Sequence, residues 1–446
     1  MANDAFESAK LGQLLTMHWG LLGPEQLAGA RRARTLGLGS TVRKFNQLAV
    51  PGLGGVWFAK QIFLATLGVR VADRLRSTNS NVKAIEIANA VEALACWCAF
   101  QNNGWTRDPR LRGSQKLAGK DNLTFTRLRQ PRFYVTQPMR MATVEALVDL
   151  GFVESGSQRF NSFRCTQAGM DLIEAATAAY RPFNGTVEDY LFNRAKDDAS
   201  VSNTPALREA LSPLVVLPVD ARALIRDKLC EGAGLNPSAA RRKNALAWVR
   251  SVEPSNSAGW DAKPSALEAS HWDDLRLGAR FFAARDAAID VLNAIEVQMV
   301  PLAVPKLTVD DARTFSLVQR AIIDLRKAAQ RFLGEDADPT EGRTAMAFCR
   351  ECVEADPAAI IRSLVKRDDR VLRLVGNDVL PGAAFSSQLQ AEASEDESEG
   401  PGADNVGRVP VPGGISGRIR NLYLLELDLQ GRLGEFLSQS ATEETV

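Results

Sequence analysis

The stretch LVDLGFVESGSQRFNSFRCTQAGMDLI, residues 147–173, decides how this part of the chain folds. It opens on the end of an apolar-periodic helix, and Gly151 is typical of the residue that follows a helix C-terminus. Phe152-Val153-Glu154 then predicts a short strand, and the polar residues after it predict a loop. Phe163-Arg164-Cys165 predicts a returning strand, after which the Thr166 hydroxyl can cap a closing helix. The pattern therefore indicates a β-hairpin held between two helices.

Three helices are predicted before this hairpin. An apolar stripe marks the first, which begins near residue 81 and stops before Gly104. Asn122–Arg129 fits a second, short helix that must end before Pro131. Gln137–Leu150 is the third, because its apolar side chains recur at helical spacing toward one face. Together with the hairpin, these elements indicate one small helical domain.

The order of elements and the local sequence resemble the winged-helix regulators of the MarR and PadR type. In those families a Leu-Gly-hydrophobic exit from a helix, and a strand that runs into Thr-x-x-Gly, recur in the same places as in 150–152 and 163–169 here. The resemblance covers residues 81–180. It implies a winged helix-turn-helix domain with a small β-hairpin, flanked by helical domains in a mainly α protein. It also implies that Gln137–Leu150 is a recognition helix and that the hairpin is a wing. The loop before the second helix, 104–120, is longer than these families usually need. Either it is an extra DNA-contacting loop, or the second helix lies elsewhere than at Asn122–Arg129.

Local charge favours a nucleic-acid role for the same segment. Residues 104–164 contain 11 basic and 5 acidic residues, whereas the net charge of the whole chain is +1. Phosphate contacts need such a local excess, because counterion release supplies most non-specific affinity. The side chains expected to contact double-stranded DNA lie at the entry of the recognition helix and on the wing tip, and they are Arg132, Thr136, Gln137, Arg140, Thr143, Gln158, Arg159 and Asn161. Because winged helices also dock proteins, a protein-only scaffold is the first alternative.

Five segments are predicted along the chain. They are an N-terminal helical module, 1–80; the winged helix-turn-helix domain, 81–180; a helical domain, 181–388; an acidic Gly/Pro linker that is expected to be disordered, 389–414; and a C-terminal amphipathic helix, 415–446. Protein partners, or self-association, are expected through 181–388 and 415–439. The apolar stripe of the last helix must dock somewhere, either on its own chain, on a second copy or on another protein. Partner docking predicts that the fold survives removal of residues 391–446.

Composition indicates a globular cytoplasmic protein. Apolar residues make up 45% and charged residues 24% of the chain, which is ordinary for globular domains. The first residues lack the apolar core of a secretory signal. The most apolar window, 45–69, is interrupted by Pro51 and several glycines, so no membrane span is expected. The six cysteines are therefore expected to be reduced thiols.

No catalytic residue, metal site or cofactor is predicted. His18 and His271 are the only histidines, which leaves little material for a His-rich metal site. Cys349 and Cys352 have the spacing of a zinc half-site, but no second pair is near them in the sequence, and i, i+3 spacing on a helix favours core packing. A metal-dependent nuclease with carboxylates scattered through 181–388 is the second alternative.

A second resemblance concerns the N-terminus. The run GLGSTVRKF at 37–45, followed by Val50-Pro51-Gly52, is similar to the opening of an uncharacterised bacterial family found among phage-defence and mobile-element genes. In that family a Gly-x-Gly-x-Ile-Arg element precedes a Phe-Pro-Gly element by a similar distance. The two resemblances together predict a non-enzymatic, DNA-binding subunit of a bacterial multi-protein system of the phage-defence or mobile-element kind.

Overall fold

The structure is a computed structural model of the chain. It describes residues 34–78, 81–157, 159–231, 236–253, 259–385 and 409–443. The first 33 residues of the predicted N-terminal module lie outside the described residues. Gln158 on the predicted wing, and residues 389–408 of the predicted linker, lie outside them as well.

Contacts between residues divide the chain into two compact units. Of the described residues, the larger unit comprises those within 43–279 and 409–443, and the smaller unit comprises those within 34–42 and 280–385. The predicted winged-helix segment, 81–180, falls wholly in the larger unit, together with the C-terminal helices. The predicted helical domain, 181–388, is divided between the two units.

The described residues are mainly helical. The helices of the first part of the chain are α1 (Gly39–Ala49), α2 (Ala59–Ser77), α3 (Ala84–Asn102), α4 (Ser114–Leu117), α5 (Phe125–Leu128), α6 (Val144–Asp149), α7 (Gln167–Thr177), α8 (Val187–Asp197), α9 (Pro205–Leu211), α10 (Val219–Cys230) and α11 (Pro237–Ser251). The later helices are α12 (Ala269–Met299), α13 (Val309–Ala312), α14 (Ser316–Leu333), α15 (Thr344–Cys352), α16 (Pro357–Asp368), α17 (Gly417–Gln430) and α18 (Leu433–Glu443). Within the described ranges, no helix combines the length and the apolarity that crossing a membrane requires.

The strands are short and antiparallel. In the larger unit, β1 (Val153–Ser155) pairs with β2 (Phe163–Cys165). In the smaller unit, the strands β3 (Leu307–Thr308), β4 (Leu372–Val375) and β5 (Asp378–Pro381) form a sheet in the order β3-β5-β4. These sheets cover few residues, so helix packing supplies most of the core in both units.

Helices α2 and α3 form the centre of the core of the larger unit. Most residues of both are buried, including those of the whole first half of α2, which is typical of helices enclosed in a core. The two helices approach closely at Gly68, where an added Cβ would lie 2.5 Å from the Cα of Ala88. Any side chain at this position would therefore push the helices apart.

The elements predicted around the hairpin are present. Helix α3 ends before Gly104, α5 lies within the predicted short helix, and β1 and β2 pair across the predicted polar loop. Thr166 caps α7, because its hydroxyl accepts a hydrogen bond from the N–H of Gly169 at 3.2 Å. The same hydroxyl donates to the carbonyl of Gly151 at 2.6 Å, which ties the start of α7 to the entry of the hairpin.

The predicted continuous helix over 137–150 is wrong. Met139–Ala142 is a 3-10 turn, and α6 begins only at Val144. The carbonyl of Ala142 accepts the N–H of Gly55 at 2.9 Å, so a bond from outside replaces one that a continuous helix would make. Gly54 makes this approach possible, since it has a φ of +61° and an added Cβ would lie 2.6 Å from the Ala142 oxygen.

The prediction of a single amphipathic helix over 415–446 is also wrong. The segment forms two helices, and α17 is buried on all sides instead of along one stripe. Ile419, Leu422 and Leu425 are each 0% exposed. The N–H of Ala59, at the start of α2, donates to the carboxylate of Asp428 at 2.8 Å. The apolar residues of α17 therefore dock on their own chain, and the fold is not expected to survive their removal.

Candidate nucleic-acid interface

Four of the eight predicted DNA-contacting residues are exposed. Arg132 and Thr136 lie in the loop before the 3-10 turn, and Arg159 and Asn161 lie between β1 and β2. The side-chain oxygen of Asn161 already accepts the N–H of Ile85 at 3.0 Å, so this residue also caps the first turn of α3. Gln137 is half-buried, and Gln158 lies outside the described residues.

Arg140 and Thr143 do not face solvent as a recognition helix would require. Thr143 is 0% exposed, and its hydroxyl donates to the carbonyl of Arg140 at 2.9 Å. Arg140 is half-buried, and its Nε and Nη1 atoms are buried without a hydrogen bond to any described residue. In this arrangement Thr143 offers no atom to a base edge, and Arg140 belongs to a buried charged group beneath the helix.

The buried group centres on Glu92 of α3, which is 0% exposed. Its carboxylate accepts hydrogen bonds from the hydroxyl of Tyr134 at 2.7 Å and from the backbone N–H of Arg140. Burial raises the pKa of Glu92 to about 7, although the positive charge of Arg140 and the Tyr134 hydrogen bond oppose that rise. These contacts fix the 3-10 turn against α3.

The exposed face of α6 and of the turn before it is apolar and acidic. Met141 is 49% exposed and Val148 38% exposed, and Asp149 is exposed beside them. Glu145 is half-buried and is held by Arg418 through two contacts of 2.8 and 2.6 Å. The carboxylates of this face repel phosphates, and the guanidinium of Arg418 is already engaged by Glu145. Insertion of α6 into the major groove is therefore disfavoured.

This face of α6 borders a cavity of about 940 Å³ within the larger unit. The cavity is also lined by Gln47 of α1, whose amide donates to the carboxylate of Glu145 at 2.5 Å, and by Arg418 of α17. Burial, and then the charge of Glu145, raise the pKa of Asp149, while Arg242 and Arg418 oppose that rise. The cavity thus combines apolar side chains with a balanced set of charges.

A group of cations lies instead around α4 and α5. We call Lys116, Lys120, Arg127 and Arg132 the cationic surface. The pKa of Lys120 is lowered, first by desolvation and then by the positive charges of Arg127 and Lys116, which shows that the three lie within electrostatic reach of one another. Arg127 and Arg132 are exposed. The ammonium of Lys120 lies 4.2 Å from the centre of the Phe133 ring, next to Arg132 in the chain.

Helix α3 holds the backbone beneath the cationic surface. The indole N–H of Trp97 donates to the carbonyl of Lys120 at 2.9 Å, and the amide of Asn89 donates to the carbonyl of Leu128 at 3.0 Å. The cations are therefore carried by segments fixed to the core. In the sequence, the basic excess and the long 104–120 loop pointed to this region, but Lys116, Lys120 and Arg127 were not among the expected DNA contacts.

Other basic residues of 104–164 have structural roles. Arg110 is buried and makes two contacts with the carboxylate of Asp108, at 2.9 and 2.8 Å. Arg112 is 3% exposed. The local excess of 11 basic residues over 5 acidic ones therefore overstates the positive charge that a ligand could meet.

Of the residues weighed for metal or catalytic chemistry, Cys349, Cys352 and His271 are packed in the core of their units, and His18 lies outside the described residues. Cys349 and Cys352 lie on α15 and are at most 1% exposed, and burial raises the pKa of both thiols. His271 is buried, its Nε2 lies 2.9 Å from the carbonyl oxygen of Ala49, and desolvation lowers its pKa. Among the described residues, no three His, Cys, Asp or Glu side chains meet in a group that could hold a metal ion.

No protein-family model, curated protein or solved structure matches this chain. A function must therefore be argued from the chemistry of its own surfaces.

Proposed function

We propose that this protein binds double-stranded DNA through the cationic surface, as a non-enzymatic subunit that works with other proteins. The observation that carries the proposal is the grouping of Lys116, Lys120 and Arg127, whose positive charges act on one another. Exposed Arg127 and Arg132 give this group access to solvent. A winged-helix arrangement of residues 81–180 would supply the frame that holds these cations.

Like charges brought together on a fixed backbone raise the local potential and attract a polyanion. Each phosphate that they neutralise releases condensed counterions from the duplex, so binding weakens as salt rises. Such contacts position a protein on DNA but carry no sequence information. Because the exposed face of α6 is apolar and acidic, we expect little reading of base edges and therefore weak sequence preference.

The test compares two triple variants that each remove three positive charges. Lys120→Ala/Arg127→Ala/Arg132→Ala alters the cationic surface. The matched control, Lys366→Ala/Arg370→Ala/Arg373→Ala, alters exposed cations of the smaller unit. Binding to a duplex of random sequence is measured by fluorescence anisotropy between 50 and 200 mM salt. We expect the first variant to bind at least about tenfold more weakly, with the magnitude of its salt slope reduced by up to about 2.7, at about 0.9 per lost phosphate contact.

The control variant should keep the affinity and the salt slope of the parent protein. Circular dichroism checks that both variants are folded. Equal loss in the two variants would mean that only total charge matters, and it would overturn the assignment to this surface. An unchanged slope in the first variant would overturn it as well. To test the nuclease alternative, a labelled duplex is incubated with the parent protein and Mg²⁺, and cleavage of the duplex is measured.

A second candidate function is protein docking by the same segment. It is favoured by the exposed apolar side chains of Met141 and Val148 beside the cavity of about 940 Å³. If the parent protein does not bind duplex DNA even at 50 mM salt, this candidate replaces the first. The phage-defence or mobile-element setting stays a prediction from the resemblance at residues 37–52.

A further inference from the structure

The smaller unit carries an apolar groove between two helices. It lies between the second half of α12 and the first half of α14, with a volume of about 350 Å³. The lining residues are mostly small or apolar, and they include Ala287, Ala294, Val297, Leu317 and Ala321. Alanines at a helix surface allow another helix to approach closely, so the groove is shaped for helix packing.

Exposed apolar side chains are concentrated here. Val297 is 57% exposed and Leu317 45% exposed, although both line the groove. Of the twelve large hydrophobic residues exposed among the described residues, these two line the groove, and four more lie nearby in the chain, on α14 or after the end of α12, without lining it: Val300, Leu302, Val304 and Ile323. Patches of this kind on a soluble protein mark contact surfaces. The groove is therefore a candidate docking surface.

Two charges at the groove bear on the choice of occupant. Asp290 of α12 and Arg320 of α14 both line it, and neither makes a hydrogen bond or ion pair with any described residue. The other polar residues of the lining are engaged, since Asp324 pairs with Lys327 at 3.5 Å and Asn293 accepts a hydrogen bond from Arg34. Among the residues that the structure describes, the groove thus presents one anion and one cation, on neighbouring helices, that have no partner.

We propose that a second copy of this chain packs on this groove, so that α12 and α14 of both copies form a four-helix contact about a two-fold axis. In such an isologous contact both copies use the same surface. If residue i of the first copy contacts residue j of the second, then residue j of the first copy contacts residue i of the second. Arg320 of each copy would then face Asp290 of the other. Both unpaired charges are satisfied at once, while Val297 and Leu317 are removed from water. An unrelated partner would have to supply both charges at matching positions, whereas a second copy supplies them by symmetry.

The proposal does not depend on DNA binding, and a charge swap tests it. Mass is measured by light scattering coupled to size exclusion, at protein concentrations up to about 100 µM, at which a dimer with a Kd near 1 µM is almost fully formed. The parent protein is expected at twice 48.5 kDa. Asp290→Arg alone and Arg320→Asp alone each place like charges across the axis. Each single variant should therefore dimerise at least tenfold more weakly, and its measured mass should approach that of the monomer.

The double variant Asp290→Arg/Arg320→Asp should recover the dimer, because the charges are exchanged and not removed. An equimolar mixture of the two single variants should recover it too, since each copy then complements the other. Val375→Asp, which changes an exposed valine of β4 outside the groove, is the matched control and should remain dimeric. A monomeric parent protein, single variants that stay dimeric, or a double variant that stays monomeric would each overturn the proposal.

Discussion

Removal of residues 415–446 is expected to abolish cooperative folding of the larger unit. Helix α17 lies inside its core, where Ile419, Leu422, Leu424 and Leu425 are each 0% exposed. Burial of one such side chain contributes about 1.5–3 kcal/mol, so these four alone contribute on the order of 6–12 kcal/mol. The whole stability of a domain is only about 5–15 kcal/mol. The shortened chain should therefore be insoluble, or should melt without a cooperative transition.

Polar contacts of α17 make its loss more costly. Without Asp428, the N–H of Ala59 at the start of α2 loses a buried acceptor that lies 2.8 Å away. Without Arg418, Glu145 loses both contacts to the guanidinium, and the carbonyl of Val50 loses a donor at 3.0 Å. Buried polar groups left without a partner cost about 1–3 kcal/mol each. The deletion thus has two costs: it exposes apolar surface of the core, and it leaves the polar atoms that α17 had bonded without a partner.

A point variant measures the same effect in a chain that still folds. Leu425→Ala should lower the free energy of unfolding by about 2–5 kcal/mol, because it leaves a cavity in the core. Glu435→Ala, at an exposed position of α18, is the control and should change it by less than about 0.5 kcal/mol. Urea unfolding followed by circular dichroism gives both values. A truncated chain that keeps the parent melting temperature would contradict the core position of α17.

Local sequence predicted the elements that local forces determine. The Thr166 cap, the Gly151 exit and the alternation in 163–165 act over a few residues, and the hairpin and α7 follow from them. The continuous helix over 137–150 failed, because the bond that interrupts it comes from Gly55, far away in the sequence. No periodicity within the segment could have shown that contact.

How far each side chain is buried was the main feature that the sequence did not show. The stripe of α17 was correctly identified as apolar, but its burial on every side depends on helices from distant parts of the chain. Arg140 and Thr143 were expected at the surface for the same reason, since helical position alone does not give exposure. One signal was present and was missed. Glu92 stands in the middle of an almost wholly apolar helix, where a carboxylate needs partners such as Tyr134 and Arg140.

The Glu92 group predicts a pH dependence of stability. The carboxyl of Glu92 has a pKa of about 7 in the folded chain against an ordinary value of 4.5. Between these two values the unfolded chain releases the proton while the folded chain keeps it. The folded state then binds more protons, so the free energy of unfolding falls as pH rises through this window. The loss is nearly complete by about pH 8, and it amounts to about 3 kcal/mol for a pKa raised from 4.5 to about 7.

Glu92→Gln isolates this contribution, because glutamine has nearly the same shape and no proton to release. The difference in the free energy of unfolding between variant and parent should therefore rise in favour of the variant by about 3 kcal/mol between pH 4.5 and pH 8. Other titrating groups are common to both chains and cancel. Tyr134→Phe removes a hydrogen bond that lowers the pKa of Glu92. The free energy of unfolding of this variant should therefore keep falling to a higher pH than that of the parent. Urea titrations at half-unit steps measure all three proteins. Parallel curves for Glu92→Gln and the parent would mean that Glu92 stays ionised in the folded chain, held in that form by Arg140.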